Sequence, residues 1–388
     1  MKHKLGILFV GKYPPIEGGE ASKLYWLARG LGEKGHKVYI VSNCHEVEDP
    51  YRCKLSVRDI DELQPKNIRL FSTSPLDGVR FIPYYNPYSE KLTSLALEVC
   101  ETYDIDVIIG WYLLPYCIAA YNTAKLKRKK LIIQHAGSDI SRLLTNQFLF
   151  KYLEEIIRNA DYIMSYSSMV PLFKRLGKDK IFVHIPKLHP SFNIKGESVN
   201  WKKEYGLNLT KNNIFLFLGK LSKRKGLEFL LKAFRKVPKV KYLMIVGNGR
   251  ESEYFKNKYR QENILFFEPI PPWNIPKLIR SASAVIVPEY NFGIRQHKSR
   301  IPLESLLCGT PVIISKQISH KYGELQDFFI EVDPEDTKNF ISVLTDENYI
   351  EEKRIAIEKN YRMIQKQIGS FDHYVNSVEK FLLEAILH

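Results

Sequence analysis

The sequence predicts an α/β protein built from two doubly wound, parallel-sheet domains. Three observations carry that reading. Short apolar runs of strand length alternate with helix-period segments along the chain, the pattern that makes parallel sheets covered by helices. The alternation breaks once, in an aperiodic stretch rich in proline and polar residues, and then starts again. The chain has 388 residues, which exceeds one ordinary core and suits two domains of similar size.

The elements follow in order. A first strand fits residues 5–10, and the helix after it carries Leu24, Leu27 and Leu31 on one face and ends at Gly35, a suitable C-terminal cap. Further strands fit residues 37–42, 107–110, 131–134, 162–165 and 181–185. Residues 71–90 are rich in Pro, Tyr and Ser and read as a loop. Its Phe81, Tyr84, Tyr85 and Tyr88 are candidates to stack on an acceptor or to pack beneath the loop. The boundary falls between Pro186 and Asn213. Beyond it, strands fit 214–218, 242–246, 264–267, 284–287 and 312–314. A long polar helix over about 351–368 and an amphipathic helix over 371–388, with Val375, Val378, Phe381 and Leu382 on one face, close the chain.

Composition narrows the function classes. Hydrophobic residues make up 45% and charged residues 26%, ordinary values for a globular protein. No apolar run reaches transmembrane length. The start, Met1-Lys2-His3-Lys4, enters a strand without a cleavage-site pattern, so the expected location is cytoplasmic, with the inner membrane surface as an extension. Five scattered cysteines, Cys44, Cys53, Cys100, Cys117 and Cys308, lack metal-ligand spacing and are expected as free thiols. The net charge of +15 is shared by both halves and suits anionic ligands: sugar nucleotides, anionic lipid surfaces or nucleic acid. The clusters at 125–130 and 174–180 read first as solvated helix ends and second as peripheral membrane contacts. No helix carries the concentrated basic face that nucleic acid needs, so nucleic acid is not an expected partner.

One segment carries most of the chemistry. Gly219-Lys220-Leu221-Ser222-Lys223-Arg224-Lys225-Gly226 follows the apolar run 214–218 and precedes a helix with Leu227, Leu230, Leu231 and Phe234 on one face. A strand, a glycine turn and a helix start with several cations make an anion site, because free N–H groups, the helix dipole and Lys charges act together. The glycine spacing is neither a P-loop nor a dinucleotide fingerprint; the alternative is a solvated basic turn. Two Asp-x-Asp triplets, Asp59-Ile60-Asp61 and Asp104-Ile105-Asp106, are not read as metal ligands, since Asp106 leads directly into a strand. Neither a zinc-ligand spacing nor a nucleophile elbow is present.

Six pieces then fall in one order: Pro14-Pro15-Ile16-Glu17-Gly18-Gly19; Gly35-His36-Lys37-Val38; His135-Ala136-Gly137-Ser138-Asp139; Gly219-Lys220 with Lys225-Gly226; Gly247-Asn248-Gly249; and Pro302-Leu303-Glu304 through Cys308-Gly309-Thr310-Pro311-Val312. Together they resemble family 4 of the retaining glycosyltransferases, also known as glycosyl transferases group 1, over nearly the whole chain. The resemblance implies the GT-B fold, in which two Rossmann-like domains face each other across a cleft. Residues 1–190 would be the acceptor domain, with helix 371–388 packing back on it, and residues 191–370 the nucleotide-sugar domain.

The resemblance also implies roles. Lys220, where the family usually has Arg, and Lys225 would hold the donor diphosphate, with Gly219 and Gly247 in the turns beside it. Glu304 would accept hydrogen bonds from the ribose hydroxyls, or else serve the helix dipole. Gly18 and Gly19 would let N–H groups approach the donor, or else form a plain turn. His135 would lie near the donor sugar's reaction centre. Asp139 would orient a lysine, a sugar or its own loop, with a helix N-cap as the plainer reading. The family's first Glu is replaced here by Gln296, which leaves that residue's sugar contact without a counterpart, although Glu289-Tyr290-Asn291-Phe292-Gly293 resembles the missing loop. His297, Lys298 and Arg300 stand where cations could reach the diphosphate or cap a longer loop.

The expected function is transfer of a sugar from a UDP- or GDP-type nucleotide sugar to a sugar, lipid-linked or small-molecule acceptor hydroxyl. No cofactor and no metal are expected. The alternatives are a non-catalytic nucleotide-sugar-binding homologue and a GT-B phosphorylase or epimerase.

Overall fold

Thirteen strands assemble into two fully parallel sheets among the described residues, which in this computed structural model are 4–75, 86–209, 211–290 and 298–387. Tyr84, Tyr85, Gln296 and His297 therefore lie outside the described residues. Contacts divide the chain into a first unit, Met1–Lys187 with Phe371–His388, and a second unit, Leu188–Ser370.

The first unit's strands are β1 (Gly6–Gly11), β2 (Lys37–Ser42), β3 (Ile68–Ser72), β4 (Val107–Trp111), β5 (Lys130–Gln134), β6 (Tyr162–Ser165) and β7 (Ile181–Val183). Their order is β3-β2-β1-β4-β5-β6-β7. β1 and β4 have no solvent-exposed residue, so they read as unbroken apolar runs, as parallel strands covered on both faces must. The strand β3 was not expected. It is an edge strand with only Ile68 buried, so no apolar pattern announced it.

The second unit's strands are β8 (Ile214–Leu218), β9 (Tyr242–Val246), β10 (Ile264–Phe267), β11 (Ala284–Val287), β12 (Val312–Ser315) and β13 (Phe329–Val332), in the order β10-β9-β8-β11-β12-β13. Both sheets reverse direction of growth beside their first strand, between β1 and β4 and between β8 and β11. In such sheets ligands bind outside the strands' carboxyl ends at that switch point.

Two helical expectations change in detail. The polar helix is two helices, Glu347–Lys359 and Tyr361–Ile368, broken at Asn360. The C-terminal helix Phe371–Leu387 lies against the first helix, Gly19–Glu33, where Val375 and Phe371 crowd the backbone of Gly30. Glu379 fixes that packing, with Lys34 Nζ at 2.8 Å from Oε2 and His36 Nε2 at 3.1 Å from Oε1. Burial pushes the Glu379 carboxyl up, but the hydrogen bonds from Lys34 and His36 outweigh it and hold the group below its ordinary range. No helix among the described residues is long and apolar enough to cross a membrane.

Candidate functional site

In the second unit the glycine turns after β8 and β9 lock together. A Cβ on Gly247, whose φ is 141°, would collide with the carbonyl oxygen of Gly219, and one on Gly249 would meet that of Leu221. The backbone completes the join: Gly219 N–H donates to Val246 at 3.1 Å and Leu221 N–H to Asn248 at 3.1 Å. Gly219 and Lys220 stand exposed at this edge.

The basic turn is not one continuous helix start. Lys223–Lys225 forms a short 3-10 turn, Gly226 turns left-handed with φ 71°, and the helix Leu227–Phe234 begins behind it. A Cβ on Gly226 would strike the carbonyl oxygen of Pro288, so only glycine lets the segment after β11 approach. That approach has an electrostatic result. Lys225 Nζ pairs with Glu289, a carboxylate 6% exposed. An ammonium has three N–H donors, so one bond to Glu289 leaves Lys225 able to meet an anion as well. Lys223 Nζ lies 5.4 Å from the ring centre of Tyr254.

Glu304 sits in the first turn of helix Ile301–Leu307 and is 8% exposed. Burial pushes its carboxyl up, and Arg300, with Nε at 3.8 Å, pulls it part of the way back. Such a carboxylate gains most from hydroxyl donors that would stabilise its charged form. Lys298 Nζ lies 4.8 Å from the Tyr322 ring centre, and the Tyr322 hydroxyl donates to the Ser299 carbonyl at 2.8 Å.

In the first unit, Gly18 has φ 110° and opens the first helix; a Cβ on it or on Gly19 would meet nothing within 4 Å. His135 follows β5, and its ring is fully enclosed. Its Nδ1 accepts from Gly137 N–H at 3.1 Å, so Nε2 carries the proton and donates to Ser165 Oγ at 2.8 Å. Burial, then His184 and Lys23, push its pKa down to about 3. A neutral ring with both nitrogens engaged holds the turn, and proton transfer at a reacting atom is not open to it in this arrangement. Asp139 is likewise committed. Its Oδ2 accepts from Leu113 N–H at 3.0 Å, and Oδ1 accepts from Ala136 N–H at 3.0 Å and Ile140 N–H at 2.7 Å. It ties the loops after β4 and β5 together; the N-cap of its helix is Gly137. Asp106 accepts the Gly6 N–H at 2.7 Å and Asp59 the Ser56 N–H at 2.8 Å, so both triplets serve the backbone. Among the described residues, no group of three or more His, Cys, Asp or Glu could hold a metal ion.

Comparison with known proteins fits this geometry. Residues 199–352 match the family described as glycosyl transferases group 1. That matched stretch lies within the second unit. The chain is 24% identical over 331 residues to MJ1607 of Methanocaldococcus jannaschii, an uncharacterized glycosyltransferase, covering 78% of each. It is 24% identical over 326 residues to N-acetyl-alpha-D-glucosaminyl L-malate synthase of Bacillus anthracis, covering 81% of this chain and 78% of the relative. Among solved structures, Anabaena Alr3699/HepE in complex with UDP and glucose superposes with a TM-score of 0.67 at 14% identity, covering 98% of this chain and all of the other. The fold is therefore GT-B, with two Rossmann-like sheets.

Two groups of residues at these edges escaped the motif reading. Glu289 was noted only as part of a loop pattern, and its pairing with Lys225 spans 64 residues that no local pattern connects. Tyr166 and His184 directly follow β6 and β7, and their position after a parallel strand was the available signal.

Proposed function

We propose that this glycosyltransferase is retaining and metal-independent, and that it moves a sugar from a UDP- or GDP-type nucleotide sugar to a hydroxyl of a sugar, lipid-linked or small-molecule acceptor. The observation that carries the proposal is the carboxyl edge of the second sheet. There, interlocked glycine turns leave Lys220 exposed beside the paired Lys225.

Lys220, Lys225 and the N–H groups of the turn bind the diphosphate and stabilise the charge that grows on it as the sugar leaves. Lys298 adds a cation to the same donor. Glu304 accepts from the two ribose hydroxyls. His135 and Asp139 act as positioning residues, shaping the loop after β5. The acceptor attacks from the leaving-group face, and a phosphate oxygen takes its proton; no carboxylate serves as a covalent nucleophile. The first unit, closed by its C-terminal helix, is the acceptor domain and the second unit the nucleotide-sugar domain. The protein works in the cytoplasm, where the basic 125–130 segment would favour an anionic membrane surface.

A thermal-shift screen against UDP, GDP, ADP and TDP tests the donor reading. A nucleotide at 100 times its dissociation constant adds about 2.7 kcal/mol of stability. No shift with any of the four would overturn the proposal.

A further inference from the structure

The parallel strands β5, β6 and β7 are neighbours, so the residues just after them stand side by side: His135, Tyr166 and His184. The first turns of helix Gly19–Glu33 add Glu20 and Lys23 to the group. Lys23 Nζ lies 2.6 Å from Glu20 Oε1 and 3.3 Å from the Tyr166 hydroxyl. Tyr166 stacks on His184 with centroids 5.9 Å apart, and Phe182 and Tyr374 flank the same imidazole at 5.8 and 5.9 Å.

His184 differs from His135 in one respect. It is 5% exposed, yet neither Nδ1 nor Nε2 has a hydrogen-bond partner among the described residues. Glu20 Oε2 is buried and in the same condition. Buried polar atoms are paired in the great majority of proteins, because leaving them unpaired costs stability. Two such side chains, both beside Lys23, point to a ligand.

We infer that His184 and Glu20, with Lys23 between them, take hydroxyls of a neutral sugar acceptor in the first unit, an inference that rests on the function proposed above. The chemistry selects the class. Burial, then Lys23, push the His184 pKa down to about 4, so the ring is neutral at physiological pH. A neutral imidazole presents one donor and one acceptor, the complement of a hydroxyl, which also does both. Glu20 Oε2 accepts only and suits a second O–H. Lys23 is already paired with Glu20 at 2.6 Å, so an anionic group would find no uncompensated cation among these side chains.

The test is saturation-transfer NMR with the methyl glycosides of glucose, mannose, galactose and N-acetylglucosamine, run with UDP saturating the donor site. At least one glycoside should bind the wild type. In His184→Phe, which keeps the stacked ring and removes both nitrogens, that glycoside should bind about tenfold more weakly. UDP affinity should be unchanged and the melting temperature should not fall, because the variant removes unpaired buried nitrogens, and His184→Gln should restore binding. If His184→Phe does not fold, Glu20→Ala, at the start of a helix, should show the same selective loss. Equal glycoside binding in the His184→Phe and Glu20→Ala variants, no binding of any glycoside to the wild type, or tighter binding of glucose 6-phosphate than of the neutral glycosides would each overturn the inference. Failure of UDP to bind would instead strike the proposed donor site, and the glycoside comparison without UDP would still decide this one.

Discussion

Acidification should weaken the first unit through its two enclosed imidazoles. His135 is held down at about 3 and His184 at about 4, chiefly by burial, against an ordinary value of 6.5. Because both folded values lie below the unfolded one, their stabilising contribution is complete above pH 6.5. It is lost as the pH falls from 6.5 toward 4 and below. At pH 5 an unfolded histidine is about 97% protonated while both folded rings stay almost wholly neutral, so each group favours unfolding by ~2 kcal/mol relative to neutral pH. The pair together accounts for ~4 kcal/mol, a large share of the 5–15 kcal/mol that holds a typical domain together. Lys23 adds to the effect, since its charge opposes protonation of both rings. The assay is urea unfolding at pH 7.5, 6 and 5, read by hydrogen exchange of the β5 peptide so that the first unit reports alone. His184→Phe should remove about half of the pH dependence. Constant stability between pH 7.5 and 5, or an unchanged slope in the variant, would refute the reasoning.

Other outcomes follow from named contacts. Gly226→Ala forces a Cβ onto the Pro288 carbonyl at φ 71° and should cost on the order of 1–3 kcal/mol in melting experiments, with weaker UDP binding. Lys225→Ala should lower kcat more than it raises donor KM, since diphosphate charge grows in the transition state, whereas Glu304→Gln should mainly raise donor KM, by about tenfold. Turnover should survive EDTA; activity abolished by the chelator and restored by Mg²⁺ or Mn²⁺ would contradict metal independence. Glu379→Ala removes the partner of Lys34 and His36 and should destabilise the first unit by about 1–3 kcal/mol without touching UDP affinity, as calorimetry would check.

The two sheets were legible in the sequence because central parallel strands are apolar throughout. β1, β4, β8 and β11 each carry that signal in four to six residues. β3 was not legible, since an edge strand buries little and Arg69 interrupts it. β13 buries three of its four residues, but Glu331 interrupts so short a run. At the site, the glycines and lysines after β8 were readable because turn chemistry is local. The commitments of His135 and Asp139 were not, since their partners Ser165 and Leu113 lie 30 and 26 residues away. Glu289 and His184 are the same case: a side chain's partners come from neighbouring strands, and sequence order does not give them.

The central claim is that the carboxyl edge of the second sheet binds a nucleoside diphosphate through Lys220, Lys225 and Glu304. Isothermal titration of UDP and GDP into the wild type, Lys220→Ala, Lys225→Ala and Glu304→Ala measures this directly. The account predicts that one nucleotide binds the wild type and that each variant binds it about tenfold more weakly or worse. Wild-type affinity in all three variants would contradict the claim.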